Sequence, residues 1–194
     1  GTGSGKTYTV NRLLEIYSVE EIAAIGQDSY YKDLGHIDYN ERIRQNFDHP
    51  DSIDIELFED HLKKISVGAD INVPIYDFSN HVRLDETRTI SQCKIIIVEG
   101  IFALHYPQLR KLYTIKIFIE TPENVRFNRR LNRDVKERGR TIKSVKKQYA
   151  TTVLPMHEEF IEPSKEYADI IIDGNDDVKG SLDNIKVRID SLIS

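Results

Sequence analysis

The chain opens on Gly1-Thr2-Gly3-Ser4-Gly5-Lys6-Thr7, residue types in the order of a phosphate-binding loop, G-x-x-x-x-G-K-[ST], whose first glycine would stand one place before Gly1. Glycines let a backbone wrap around a phosphate with its N–H groups turned inward, and a helix that follows adds its positive dipole end. In that chemistry all seven residues line the nucleotide phosphates, Lys6 reaches the β- and γ-phosphates, and the Thr7 hydroxyl coordinates Mg²⁺. The plain alternative is a flexible Gly/Ser terminus or a cloning scar. Against it stand Lys6-Thr7 at the required offset and the helix-spaced Val10, Leu13, Leu14 and Tyr17 directly after. Two acids could complete a Mg²⁺–nucleoside triphosphate site. Glu99 ends the apolar run Ile95-Ile96-Ile97-Val98, where phosphate-loop proteins place a metal-holding carboxylate. Asp28 follows a short apolar run at 22–27, and ligands of open α/β sheets bind at such strand ends. By position alone Asp28 reads equally well as a turn or helix-cap aspartate.

A phosphate loop hangs from the end of a buried strand, so a further strand is expected before Gly1, missing from this chain. Behind the loop the pattern predicts a helix over 5–17, a strand at 22–27, a short helix at 38–46, and a helix over about 53–65 capped by Asp51 or Ser52. A β-hairpin is expected at about 71–90, with its turn at Ser79-Asn80 and a concentration of recognition-type side chains in Tyr76, Phe78, His81 and Arg83. Packing of the Tyr/Phe pair and a solvated loop histidine are the plain readings there. The four β-branched residues of 95–98 predict a central strand buried on both faces. A strand at 113–119 leads into a helix started by Thr121-Pro122-Glu123, which presents Arg126, Arg129, Arg130 and Arg133 by i, i+3, i+4, i+7 spacing. That helix breaks at Arg138-Gly139-Arg140, and a second one runs from Ile142 toward Phe160. A last strand at 168–172 and an amphipathic helix at 178–193 close the chain. The alternation predicts an α/β fold: a P-loop NTPase-type parallel sheet of about five strands flanked by helices, with a β-hairpin acceptor region and a helical lid at about 123–150. All of it fits one domain over residues 1–194.

Composition narrows the partners. No apolar run approaches a membrane span. Cys93 is the only cysteine, which excludes a disulfide framework and fits a reducing cytoplasm. The net charge of −5 argues against a nucleic-acid partner, yet residues 126–147 hold ten Lys/Arg against Asp134 and Glu137. A basic block within an acidic chain suits a compact polyanion. An Arg-Gly-Arg tip on a helix pair could close over the nucleotide, stabilise the moving phosphoryl group and exclude water.

With those blocks in place, the chain resembles the uridine kinase (uridine–cytidine kinase) family from Gly1 to about Ile172. The resemblance rests on Gly3–Thr7, on Gln27-Asp28-Ser29-Tyr30-Tyr31, on Asn46-Phe47-Asp48-His49-Pro50-Asp51, and on Ile75-Tyr76-Asp77-Phe78-Ser79-Asn80-His81-Val82-Arg83. It continues through Val98-Glu99-Gly100, the stretch 129–140, and the stretch 160–169. It implies phosphorylation of the 5′-hydroxyl of uridine or cytidine by ATP or GTP with Mg²⁺, a step of pyrimidine salvage. By the same resemblance Asp28 is the general base; Tyr31, Phe47 and Asp48 lie at the nucleoside, with Asp48 on the ribose hydroxyls. Tyr76, Phe78 and His81 contact the pyrimidine, and Arg130 and Gln148 approach the acceptor. Lys6, Arg133, Arg138 and Arg140 act on the donor phosphates, and Thr7, Glu99 and Asp28 supply the Mg²⁺ shell. A homotetramer inhibited by CTP and UTP is implied as well.

Two other readings are open. A sister kinase of the phosphoribulokinase or pantothenate kinase kind would share the loop and lid, but a sugar phosphate needs cations where this chain has Tyr76, Phe78 and His81. A non-enzymatic nucleotide switch would need Asp-x-x-Gly at a strand end and an Asn-Lys-x-Asp guanine reader, and the sequence has neither. One departure from the family concerns the turn at 173–177, Asp-Gly-Asn-Asp-Asp, which lacks the arginine often found near the donor base and leaves ATP against GTP open.

Overall fold

The computed structural model describes residues 1–175 and 178–193, so Asp176 and Asp177 of that last turn lie outside the described residues. In chain order the elements are α1 (Lys6–Leu14), β1 (Ile22–Gly26), α2 (Tyr39–Arg42), α3 (Ile55–Ser66), β2 (Ile71–Asp77), β3 (Val82–Ile90) and β4 (Ile95–Glu99). They continue with α4 (Pro107–Arg110), β5 (Ile117–Glu120), α5 (Glu123–Lys136), α6 (Ile142–Gln148), α7 (Leu154–Met156), β6 (Ile170–Asp173) and α8 (Val178–Ile193). The chain divides into two compact units, Tyr17–Leu112 on the one hand and Gly1–Ile16 with Tyr113–Ser194 on the other. Among the described residues, no helix is long and apolar enough to cross a membrane.

In the unit Tyr17–Leu112, β1 and β4 pair in parallel from Ile22↔Ile95 to Gly26↔Glu99. That register brings the carboxyl ends of both strands to one edge. The β-branched run of β4 is half-buried along its whole length and not buried on both faces as its composition predicts. Among the described residues it is paired along one edge only, with β1. β2 and β3 form the expected antiparallel hairpin, longer than its apolar core, from Ile71↔Ile90 to Asp77↔Val82. Its register shifts between Pro74 and Tyr76, where proline lacks the N–H that a regular ladder uses. The cap of α3 is a correction: Asp54, not Asp51 or Ser52, accepts the Leu57 N–H at 3.1 Å. Asp51 and Ser52 are drawn into a 3₁₀ turn behind Pro50, and Ile53 stays extended to bridge Tyr31, so the helix begins later. α3 buries Phe58, Leu62 and Ile65 on one stripe, and the Phe58 ring lies 4.3 Å from that of Tyr30. Each fully buried side chain of that size stabilises by roughly 1.5–3 kcal/mol.

The second unit holds the parallel pair β5–β6, Ile117↔Ile170 to Glu120↔Asp173. The four parallel strands therefore pair two and two, one pair in each unit. α1 ends at Leu14, earlier than its apolar spacing suggests. α6 starts at Thr141, whose hydroxyl accepts the Ser144 N–H at 3.2 Å. It runs on through a π-helical turn (Tyr149–Val153), α7, and a second π turn (His157–Ile161). Pro155 cannot supply its hydrogen bond in that stretch, and wider turns flank it. Val145, Tyr149, Val153 and Ile161 keep one buried stripe throughout.

Candidate active site

In the unit that contains the chain start, the phosphate-loop residues are held by tight backbone geometry. Gly3 and Gly5 take left-handed φ values of 71° and 100°, which glycine adopts without strain. A Cβ at Gly3 would stand 2.4 Å from the Arg126 carbonyl oxygen, so loop and α5 approach each other as closely as backbones allow. The Thr121 hydroxyl donates to the Ser4 carbonyl at 3.1 Å, and Lys6 Nζ donates to the Gly1 carbonyl at 2.7 Å. Lys6 is thus folded back over the loop, and Thr7 is exposed in the first turn of α1. On α5, Arg130 and Arg133 donate to the Thr2 hydroxyl at 3.4 and 3.5 Å. Gln148 from α6 accepts from Arg130 at 3.3 Å and also from Arg140. Arg129 turns elsewhere, to the Gly174 carbonyl at 2.8 Å.

The residue that organises these arginines was not picked out by residue type. Asp134 has no solvent exposure, and its carboxylate faces Arg130 (3.5 Å), Arg133 (3.3 Å), Arg138 (3.4 Å) and Arg140 (3.5 Å). Its carbonyl also accepts the Arg140 N–H at 3.1 Å, which closes the turn around Gly139. One buried acid therefore gathers the three arginines expected at the donor phosphates, Arg133, Arg138 and Arg140, together with Arg130, expected at the acceptor. The signal was present as i, i+4 spacing, Arg130 to Asp134 and Asp134 to Arg138.

In the other unit, Asp28 is exposed in the 3₁₀ turn Gln27–Tyr30 that follows β1, and Glu99 is half-buried at the end of β4. The Gly26↔Glu99 register sets both acids at the same sheet edge. Gln27, fully buried, ties the two strand ends together by accepting the Phe102 N–H at 2.9 Å. Among the described residues no group of three or more His, Cys, Asp or Glu side chains forms a ready metal cage.

Beyond that edge lies a cluster of rings. Tyr31 stands 5.5 Å from Phe47, 5.4 Å from Tyr76 and 6.4 Å from Phe78, centroid to centroid. His81 stacks on Phe47 at 4.4 Å and 17°. The Tyr31 hydroxyl donates to the Phe47 carbonyl at 3.2 Å, which fixes the segment that carries Asp48. Phe78 is 57 % exposed, whereas Tyr76 is buried and its hydroxyl has no hydrogen-bond partner among the described residues. Burial pushes the Tyr76 phenol up to about 12. His81 holds a φ of 56°, rare for a residue with a side chain. Its N–H donates to the Asp77 carbonyl at 2.8 Å, and Asp77 also accepts the Ser79 and Asn80 N–H groups at 2.7 and 3.2 Å. Burial lowers the His81 pKa, so its imidazole is neutral at pH 7. The predicted site residues thus fall into two groups, the loop and lid in one unit, the two acids and the ring cluster in the other.

These features have counterparts in known proteins. The sequence signature of the Phosphoribulokinase / Uridine kinase family matches residues 1–180. The chain is similar to a uridine kinase of Clostridium novyi (strain NT), 48% identical over 194 residues, which is 100% of this chain and 93% of that one. It is similar to a uridine kinase of Macrococcus caseolyticus (strain JCSC5402), 45% identical over 193 residues, covering 100% of this chain and 94% of that one. In fold it is similar to phosphoribulokinase from Rhodobacter spheroides, with a TM-score of 0.64 at 13% identity over 89% of this chain and 67% of that one. The chain belongs to the phosphoribulokinase/uridine kinase family of P-loop kinases.

Proposed function

We propose that the protein transfers the γ-phosphoryl group of ATP or GTP to the 5′-hydroxyl of uridine or cytidine, its whole length acting as one kinase domain. The observation that carries this reading is the Tyr76 hydroxyl, buried with no hydrogen-bond partner among the described residues, in a cluster of rings that includes His81, whose pKa burial lowers. A cluster of rings with one unpartnered buried polar atom suits a flat ring with a polar edge. A sugar phosphate would need cations there. Arg42, and Arg83 two residues past His81, are instead engaged by backbone carbonyls and by Asp54. The 48% identity to a uridine kinase supports the same acceptor.

In this reading Asp28 accepts the proton of the 5′-hydroxyl as its oxygen bonds to phosphorus and the bond to the nucleoside diphosphate breaks. Asp48 holds the ribose hydroxyls, Tyr31, Phe47 and Phe78 enclose the base, and Arg130 with Gln148 borders the acceptor. The loop of Gly1–Thr7 cradles the donor phosphates, and Lys6, Arg133, Arg138 and Arg140 meet the charge that grows on them. Thr7, Glu99 and Asp28 offer the hard oxygen ligands that suit Mg²⁺, which when bound neutralises phosphate charge. A cytoplasmic homotetramer working in pyrimidine salvage belongs to the same reading. The test is ADP release with a panel of acceptors. Uridine and cytidine should lead, 2′-deoxyuridine should follow, and adenosine and ribulose 5-phosphate should stay near background. Efficient use of ribulose 5-phosphate, or equal use of adenosine and uridine, would overturn the assignment.

A further inference from the structure

Arg83 lies two residues past His81 on β3, and no role for it follows from the phosphoryl-transfer chemistry. Its half-buried guanidinium is a three-way junction within the unit Tyr17–Leu112. Nε donates to the Tyr31 carbonyl at 3.0 Å, Nη2 to the Tyr30 carbonyl at 3.3 Å, and Nη1 to Asp54 Oδ2 at 3.0 Å. Its own backbone N–H donates to Asp33 Oδ1 at 3.1 Å. The Tyr30 carbonyl accepts the Asp54 N–H as well, at 2.8 Å, and the Lys32 N–H reaches the Ser52 carbonyl at 2.9 Å. One side chain therefore fastens the turn that carries Asp28 and leads into Tyr31 to the start of α3 and to the strand that follows His81.

We propose that Arg83 is a positioning residue for the acceptor: it fixes the Tyr30–Tyr31 backbone so that the Tyr31 ring and Asp28 stand in register with the hairpin. This rests on the proposed function, in which Asp28, Tyr31 and His81 meet the nucleoside. A rigid planar fork is what the task requires. Arg83 serves two carbonyls and a carboxylate at fixed angles, and a lysine, with one point charge on a flexible stem, cannot hold all three. Because the clamped turn begins at the residue after Gly26, slack in it moves the proposed base and the ring cluster together.

The experiment compares wild type with Arg83→Lys and Asp54→Asn. Asparagine caps a helix as well as aspartate does, so Asp54→Asn keeps the start of α3 and removes only the anion that anchors Arg83. Arg83→Lys should raise the acceptor KM about tenfold or more, a loss of about 1.4 kcal/mol per tenfold. Affinity for ADP should stay within about twofold of wild type, as a merely structural brace would not predict. Asp54→Asn should move the acceptor KM in the same direction by a smaller factor. In the free proteins, amide hydrogen exchange should quicken at Lys32 and Asp54 and stay unchanged in the phosphate loop. Unchanged exchange and acceptor KM in Arg83→Lys would overturn the proposal. So would a parallel loss of acceptor and ADP binding that tracks the melting temperature. Exchange that quickens in a protein whose wild type ignores uridine and cytidine would uphold the clamp and count against the acceptor assignment alone.

Discussion

Replacing Gly3 by alanine tests a close backbone approach in the phosphate-loop unit, and its cost can be worked from the geometry. At Gly3 two costs combine. The φ of 71° lies in the left-handed region, where an L side chain costs about 1–2 kcal/mol. The added Cβ would also stand 2.4 Å from the Arg126 carbonyl oxygen, 3.1 Å from its carbonyl carbon and 3.2 Å from its Cα. All three are backbone atoms in the first turn of α5, so no flexible side chain can yield, and overpacking of this kind costs about 1–3 kcal/mol. Gly5 supplies the control. Its φ of 100° brings a comparable backbone strain, but the nearest atom to its added Cβ is Arg129 Nη1 at 3.9 Å, an ordinary contact. Gly3→Ala should then destabilise by about 2–5 kcal/mol and Gly5→Ala by about 1–2 kcal/mol, out of a domain stability of about 5–15 kcal/mol. At about 2–4 °C per kcal/mol for a domain of this size, the melting temperatures separate by several degrees in calorimetry. A displaced α5 also carries Arg130 and Arg133 off the Thr2 hydroxyl, so ADP affinity should fall in Gly3→Ala. A Gly3→Ala protein that melts together with or above Gly5→Ala would show that the Arg126 backbone gives way freely and that the close approach carries no energetic weight.

Three further outcomes are expected. Asp28→Asn should lower kcat by roughly 10²–10⁴-fold while acceptor binding, read by calorimetry, is largely kept; a kcat within threefold of wild type would remove it as the base. Asp134→Ala strands four clustered guanidinium groups and should cost about 3–5 kcal/mol in urea titrations, whereas Asp60→Ala breaks only an exposed pair with Lys64 and should cost under about 1 kcal/mol; equal losses would refute the hub. His61, His81 and His157 all have lowered pKa values, each chiefly through burial, with His157 pushed down to about 3. As pH falls below about 6.5 the unfolded chain takes up these protons before the folded one does, so the urea midpoint should decline as the pH is lowered from about 6.5 to about 5. For His81 the neighbouring groups oppose each other, Asp77 raising and Arg42 lowering its pKa, and burial decides the direction. A midpoint that holds steady down to pH 5 would contradict this.

What was legible in the sequence was local. The phosphate loop is seven adjacent residues, and the arginine face of α5 follows from helical spacing alone. The hairpin at 71–90 and the parallel strands were legible because apolar runs and turn residues carry that signal. What was not legible depended on contacts between distant residues. Asp51, Ser52 and Asp54 are all good caps by type, and the choice among them is made by Ile53 pairing with Tyr31, twenty-two positions earlier. The half-burial of β4 reflects how many neighbours it has, which residue type does not encode. His81 has no preference that marks it for a φ of 56°, and that geometry comes from the turn built on Asp77. Asp134 and Arg83 were read as members of matching blocks, because their roles appear only when their partners are counted.

In the proposed reading, those two residues would let one chain treat its donor and its acceptor differently. Around Asp134 four guanidinium groups share a single buried carboxylate at 3.3–3.5 Å. Held together against their mutual repulsion by one buried anion, the arginines gain most from a ligand that brings several negative charges at once, as a triphosphate does. Around the ring cluster the cations are used up. Arg83 is taken by two carbonyls and Asp54, and Arg42 by the carbonyls of Ile37, Asn80 and Gly35. In that reading His81 and the Tyr76 hydroxyl, which has no hydrogen-bond partner among the described residues, meet the acceptor, and neither favours a phosphate. A phosphorylated sugar would lose its hydration at the rings without gaining a cation, whereas an uncharged nucleoside loses little. In the proposed reading, the discrimination between donor and acceptor lies less in which residues are basic than in what already engages them.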